Sequence, residues 1–170
     1  RYLDQVMQGK LETIASNRRN ILEAVRRAEL LIGAVLLPGA KAPTLVTAEM
    51  IAAMAPGSVV LDIAVDQGGC IETSRPTSHT APTYTVDGVV HYAVPNIPGA
   101  VPRTSTYALS NATLPYGTAL ANKGLARASA EDMTLRPGVN TYQGRLTHPA
   151  VAKALGLAHT PLEQLLPLAN

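Results

Sequence analysis

The chain has 170 residues, 46% of them apolar and 4% aromatic, with a formal net charge of +2. That is room for one domain or parts of two, with an aliphatic core, and it excludes wholesale disorder. The basic pairs Arg18-Arg19 and Arg26-Arg27 lie on a predicted helix without interleaved aromatics, a solvated face rather than a nucleic-acid surface.

In chain order, residues 1–8 place Tyr2, Leu3 and Val6 on one side of a helix that Gly9 stops. Leu11 to Ala15 reads as a short strand. Ser16 and Asn17 are N-cap types ahead of a helix over Asn20 to Glu29, whose face carries Ile21, Leu22, Val25 and Ala28. The continuous apolar run Leu30 to Leu37 predicts a buried strand, broken by Pro38 and Gly39. Thr47 caps a short helix that Pro56-Gly57 closes, and Val59 to Val65 predicts a second buried strand ending on Asp66. Residues 71–82 form a loop rich in Thr, Ser and Pro, and Val89 to Val94 is a third strand.

This alternation predicts an α/β fold with a parallel sheet and helical crossovers. Three prolines and a glycine between Pro95 and Pro102 exclude regular structure there and mark a domain boundary. A long amphipathic helix follows over Thr104 to Lys123, with a kink expected at Pro115. Ala128 to Leu135 is a short helix or turn, residues 141–148 a hairpin-like strand pair, and Val151 to Leu155 a helix ended by Gly156. The tail, with Pro161 and Pro167, is amphipathic and expected to dock on another element. No internal repeat or low-complexity segment occurs.

Three loops sit at the predicted carboxyl ends of the strands, after Gly33, after Ile63 and after Val94, and ligands of open α/β sheets bind at that edge. Glycine lets backbone approach a flat ligand, and proline fixes loop shape in advance. Asp66, followed by Gln67 and Gly68-Gly69, is the candidate carboxylate; an alternative reading makes it only the cap of the next turn. Asn96 serves equally as a turn former between prolines, Arg75 as a solvated loop charge, and Ser16 as a helix cap. Lys41 reads as solvent-facing and His91 as a half-buried structural residue. The four histidines show no paired ligand spacing, and the single Cys70, read as a small apolar filler, excludes a disulfide and a cysteine-cluster metal site. No metal is expected. With no apolar run near the ~20 residues of a membrane helix and no signal peptide, the chain is expected to be cytoplasmic.

GAVLLPGAKAP (33–43), DIAVDQGG (62–69) and HYAVPNIPGAVPRTST (91–106) closely resemble the second half of the alanine dehydrogenases. ALSNATLPY (108–116), ANKG (121–124) and VNTYQGRLTH (139–148) extend the match over nearly the whole chain. The related proton-translocating transhydrogenase subunit shares a PG-K-AP-like loop but resembles the chain less at DQGG and NIPGAVPRTST.

The resemblance implies NAD-dependent, reversible oxidative deamination of L-alanine to pyruvate and ammonium. It implies that residues 1–100 are the distal half of a Rossmann-type NAD-binding domain. Residues 101–170 would be the long helix and carboxyl-terminal part of the substrate domain. Ser16 would contact the adenosine side of NAD, Val35 and Leu36 would lie against the cofactor, and Ile63, Ala64, Val65 and Asp66 would meet the nicotinamide ribose region. Arg75 would reach the cofactor from its loop, and Val94, Pro95, Asn96 and Ile97 would line the nicotinamide pocket. Asp66 resembles the family's catalytic acid, and the family's homohexamer makes further protomers the expected partners.

A complete dinucleotide domain carries a Gly-x-Gly-x-x-Gly turn and an acidic residue about 20 positions later. This chain has neither in place, and it opens on Arg1 inside a predicted helix. The expectation is therefore a carboxyl-terminal portion that lacks an amino-terminal half and is inactive alone. The rival readings are an NAD(H)-binding transhydrogenase-like subunit and a non-catalytic fragment serving assembly.

Overall fold

A computed structural model describes residues 2–7, 9 and 11–166. They form two compact units, Arg1–Leu36 with Ala42–Pro95 and Leu37–Lys41 with Asn96–Asn170.

The first unit runs through α1 (Tyr2–Val6), α2 (Arg18–Arg27), β1 (Leu30–Gly33), α3 (Ala48–Ala52), β2 (Val59–Asp62), β3 (Thr83–Val86) and β4 (Val89–Tyr92). The sheet order is β1-β2-β4-β3, with β1, β2 and β4 parallel and β3 antiparallel to β4. The α/β class and mostly parallel sheet agree with the alternation in the sequence.

Several details differ. Residues 11–16 form no strand. The three parallel strands are shorter than their apolar runs: β1 stops at Gly33, β2 at Asp62 and β4 at Tyr92. Between β2 and β4 the chain crosses through an irregular segment and the edge strand β3 instead of a helix. The sequence reading passed over β3, although Asp87-Gly88 between TYTV and VVHY is a hairpin signal. Both turn residues adopt positive φ, 51° and 78°, the pair a type I′ turn requires.

The cap of α2 is Asn17, whose Oδ1 accepts from Asn20 N at 2.9 Å; Ser16 is exposed and outside the helix. Replacing Asn17 with alanine orphans that amide and is expected to cost about 1 kcal/mol of stability, read by chemical denaturation. Thr47 caps α3 as expected. The core packs Val25 of α2, Met50 and Ile51 of α3, Val60 of β2 and Val89 of β4 together with Ala64, Cys70 and Ile71. Val60, Val89 and Ile51 are fully buried, so β2 and β4 are the interior strands against which both helices place their apolar stripes. At the sheet edge, β1 leaves Leu30 and Ile32 about half exposed, at 56% and 51%.

In the second unit, α4 spans Pro102–Glu131. Its break falls at Gly124 (φ 70°, ψ 166°) and not at Pro115, because glycine alone adopts that backbone without penalty. Glu131 pairs with Lys123 on one side of the break and with Arg127, at 2.8 Å, on the other. Hydrogen bonds from Lys123 and then Arg127 hold the Glu131 carboxyl below its ordinary range.

The helix is not amphipathic. Its exposed apolar residues fall on two opposite faces, Tyr107 with Leu114 and Leu109 with Tyr116 and Leu120, since residues seven apart share a side. Beyond it lie a 3-10 segment at Met133–Gly138, the hairpin of β5 (Thr141–Tyr142) and β6 (Arg145–Leu146), and α5 (Pro149–Leu155). Gly156 ends α5 in the left-handed region. Leu162 and Leu166 of the tail are buried, and Pro167 lies outside the described residues.

Candidate active site

The carboxyl ends of β1 and β2 lie side by side, with Gly33 opposite Asp62 and Ile63 N donating to Gly33 O at 2.8 Å. The strand-end carboxylate is therefore Asp62, four residues earlier than the run of β-branched residues implies. Its side chain is fully buried, at 0% exposure. Oδ1 accepts from Ala64 N at 3.0 Å and faces Cys70 Sγ at 3.6 Å, while Oδ2 accepts from Cys70 N at 3.2 Å. Cys70 is thus more than a filler. Burial, followed by the neighbouring Asp62 charge, pushes its thiol pKa up, so the sulfur keeps its proton and donates it.

Asp66 sits in a single 3-10 turn, Val65–Gln67, above this base. Its carboxylate is exposed and, among the described residues, takes no hydrogen bond or ion pair. The turn closes through Gln67 N and Gly69 N, both donating to Ala64 O at 2.9 Å. Ala42 N, from the segment after β1, donates to Gln67 O at 2.9 Å. The backbone carrying Asp66 is tied down at both ends and at its tip, while the side chain is left free. A carboxylate bonded to nothing on a rigid loop is available to a ligand.

The other candidates separate by unit. Within the first, Val35 is half-buried and packs against the core cluster that includes Ala64 and Cys70. Ala64, Val65 and Val94 are buried, Pro95 is half-buried, and Ile63 and Leu36 are exposed.

Arg75 is exposed but fixed. Its guanidinium lies 4.0 Å over the Tyr84 ring, and its backbone N–H donates to the Tyr84 hydroxyl at 2.8 Å. Tyr84 stacks in turn on His91, with ring centroids 5.1 Å apart. His91 is fully buried: Nδ1 bonds Val89 O at 3.0 Å and Nε2 bonds Thr73 Oγ1 at 2.8 Å. A carbonyl can only accept, so Nδ1 carries a proton and donates to Val89 O. Sequence reasoning missed Tyr84 along with its strand. Ser16 lies exposed before α2 in the same unit, and Lys41 is exposed.

Asn96 and Ile97 belong to the second unit. Asn96 has φ 54°, uncommon for a residue with a side chain, and caps a 3-10 turn at Ile97–Ala100. It lines a cleft of about 720 Å³ with Pro102, Ser105 and Leu109 of the first turns of α4. Among the described residues no three His, Cys, Asp or Glu side chains gather as metal ligands, and no helix is long and apolar enough to cross a membrane.

A family model described as "Alanine dehydrogenase/PNT, C-terminal domain" matches residues 1–149. The chain belongs to that family. The alanine dehydrogenase of Halomonas elongata is 54% identical over 164 residues, 96% of this chain and 44% of that protein. That of Methanococcus maripaludis is 56% identical over 166 residues, 97% and 44%, and that of Bacillus subtilis 54% over 167, 98% and 44%. The chain therefore spans less than half the length of these family members.

A solved L-alanine dehydrogenase superposes with a TM-score of 0.76 at 54% identity, over 91% of this chain and 43% of that one. A transhydrogenase from Sinorhizobium meliloti gives 0.55 at 28% identity, over 87% and 40%. The ordering of these two members follows the sequence, where the DQGG and NIPGAVPRTST segments resemble the dehydrogenase more.

Proposed function

We propose that this chain supplies the carboxyl-terminal part of an NAD-dependent alanine dehydrogenase, a cytoplasmic homohexamer that interconverts L-alanine with pyruvate and ammonium. The observation that carries the reading is the free, exposed Asp66 carboxylate on a backbone anchored at the carboxyl edge of a parallel sheet. The residues of the first unit fit a dinucleotide. Gln67 Oε1 and Ser74 Oγ are buried without a partner, and a ligand rich in hydroxyl and amide groups can satisfy both. The Arg75 guanidinium, held over the Tyr84 ring, offers a fixed cation one residue along the chain from Ser74, and Leu36 and Ile63 offer exposed apolar surface.

In this reading Val35, Leu36, Ile63, Ala64 and Val65 seat the cofactor, with Ser16 on its adenosine side and Val94, Pro95, Asn96 and Ile97 along the nicotinamide. When bound, NAD would supply the acceptor for the hydride that leaves C2 of alanine. Asp66 then has two tasks suited to a carboxylate: steadying the positive charge that develops on the substrate nitrogen, and orienting the water that attacks the imine carbon. The exposed edge of β1 is where the sheet would continue into an amino-terminal half.

The test joins this chain to the amino-terminal half of the Bacillus subtilis relative in one polypeptide and follows NADH formation. Alanine-dependent reduction of NAD is expected from the joined protein and not from the 170-residue chain alone. NAD binding that ignores both alanine and pyruvate would instead favour the transhydrogenase-like reading, which the Sinorhizobium meliloti likeness keeps in view.

A further inference from the structure

A buried carboxylate is costly unless its oxygens are matched by donors. Asp62 is fully buried, and among the described residues its partners are two backbone amides and a thiol, none of them cationic. The placing of those donors is specific. Ala64 begins the loop that carries Asp66, and Cys70 lies just past its end, so one side chain holds both sides of the loop's neck. Gly69, at φ 73°, lets the returning backbone pass against the carboxylate; a Cβ there would lie 3.0 Å from Oδ2. On the other side Gly33 leaves the space that the Cys70 sulfur fills.

All three partners donate, so the position demands a group that only accepts. An asparagine of the same shape would turn an NH2 toward an N–H or a thiol proton. A hydroxyl would be too short to span two donors. The chemistry of the neck therefore explains a charge in the middle of an apolar strand, where packing alone would favour valine or isoleucine.

We infer that Asp62 is a positioning residue for Asp66, clamping the two ends of its loop so that the catalytic carboxylate is presented in one place. The inference rests on the catalytic reading of Asp66 above. Asp62 does not touch substrate or cofactor; it acts through the loop. A catalytic group displaced by about 1 Å loses on the order of a hundredfold in rate.

The test uses the joined enzyme, with kinetics and amide hydrogen exchange on the same variants. Asp62→Asn is expected to lower kcat for alanine roughly tenfold to a hundredfold while KM for alanine moves by less than about threefold. On an Asp66→Asn background the same change is expected to cost less than about twofold, because nothing is left to position. Exchange at amides 64–70 is expected to quicken while β1, β2 and β4 stay protected. A milder pair reads the same clamp: Cys70→Ala should slow turnover and quicken loop exchange, and Cys70→Ser, which keeps a donor, should restore both.

Equal losses from Asp62→Asn on both backgrounds would overturn the positioning role, as would unchanged loop exchange in a folded variant. If Asp62→Asn does not fold, identical behaviour of Cys70→Ala and Cys70→Ser overturns it. Full turnover in Asp66→Asn alone would mark failure of the catalytic reading, and the positioning role would fall with it. The exchange data would still report on the clamp, which separates the two failures.

Discussion

Asp66→Ala in the joined enzyme is expected to lower alanine turnover by roughly a hundredfold to a thousandfold, the loss typical of removing a charge aimed at the reacting centre. The unfolding midpoint should hardly change. The carboxylate is exposed and has no partner among the described residues, so its removal breaks no protein contact. Loop geometry is set by backbone bonds, Gln67 N and Gly69 N to Ala64 O and Ala42 N to Gln67 O, which alanine leaves intact. Intact stability with lost turnover is the signature that separates a catalytic aspartate from the turn-capping alternative. A cap would show the reverse: a small loss of stability, about 1 kcal/mol, and nearly full activity. Parallel measurement of kcat and of thermal unfolding decides between them.

Gly33→Ala is expected to be the most damaging single-methyl change in the first unit. The added Cβ would lie 2.5 Å from Cys70 Sγ, 3.1 Å from Ile71 Cδ1 and 3.4 Å from Asp62 Oδ1. None of these can retreat cheaply. The thiol is bonded to Asp62, Asp62 is held by two amides, and Ile71 is buried. We expect a loss of about 3 kcal/mol, at the upper end of overpacking costs. For a chain of this size that lowers the unfolding midpoint by roughly 6–12 °C. Removing the sulfur in the double variant Gly33→Ala, Cys70→Ala should recover part of the loss, because the shortest contact disappears. A Gly33→Ala protein as stable as the parent would show that β1 and the 63–70 loop are not in fixed contact.

The two expectations illustrate different kinds of legibility. Asp66 was visible because an acidic residue followed by Gln-Gly-Gly interrupts an apolar run, and interruptions of that kind mark the exit from buried structure. The strand boundary was misplaced by the same run. Ala64 and Val65 are as apolar as the strand before them and just as buried, yet they lie in the turn and not in the ladder. Burial writes the same residue types into both, so composition does not distinguish them. In contrast, the hairpin at Asp87-Gly88 carried an explicit local signal, positive φ at two successive residues, and Tyr84 with its hold on Arg75 and His91 lay behind it. The break in α4 had two candidates in the sequence. It fell at Gly124 because an isolated proline costs one hydrogen bond, whereas glycine alone permits the extended ψ of 166° at positive φ.

By itself, the amino-acid order determined the α/β class, the caps at Thr47 and Gly156, the short β5–β6 hairpin and the family, since each depends on residue type at near neighbours in the chain. Tertiary structure alone decided that Asp62, and not Asp66, is the carboxylate sealed at the end of β2, and that Cys70 and Gly33 complete its surroundings. These residues are up to 37 positions apart in the chain. They meet only because parallel pairing sets Gly33 beside Asp62 and the loop then returns to the same point. A hydrogen bond between distant segments leaves no periodicity to read; it exists only once the sheet has brought its donors and acceptors together.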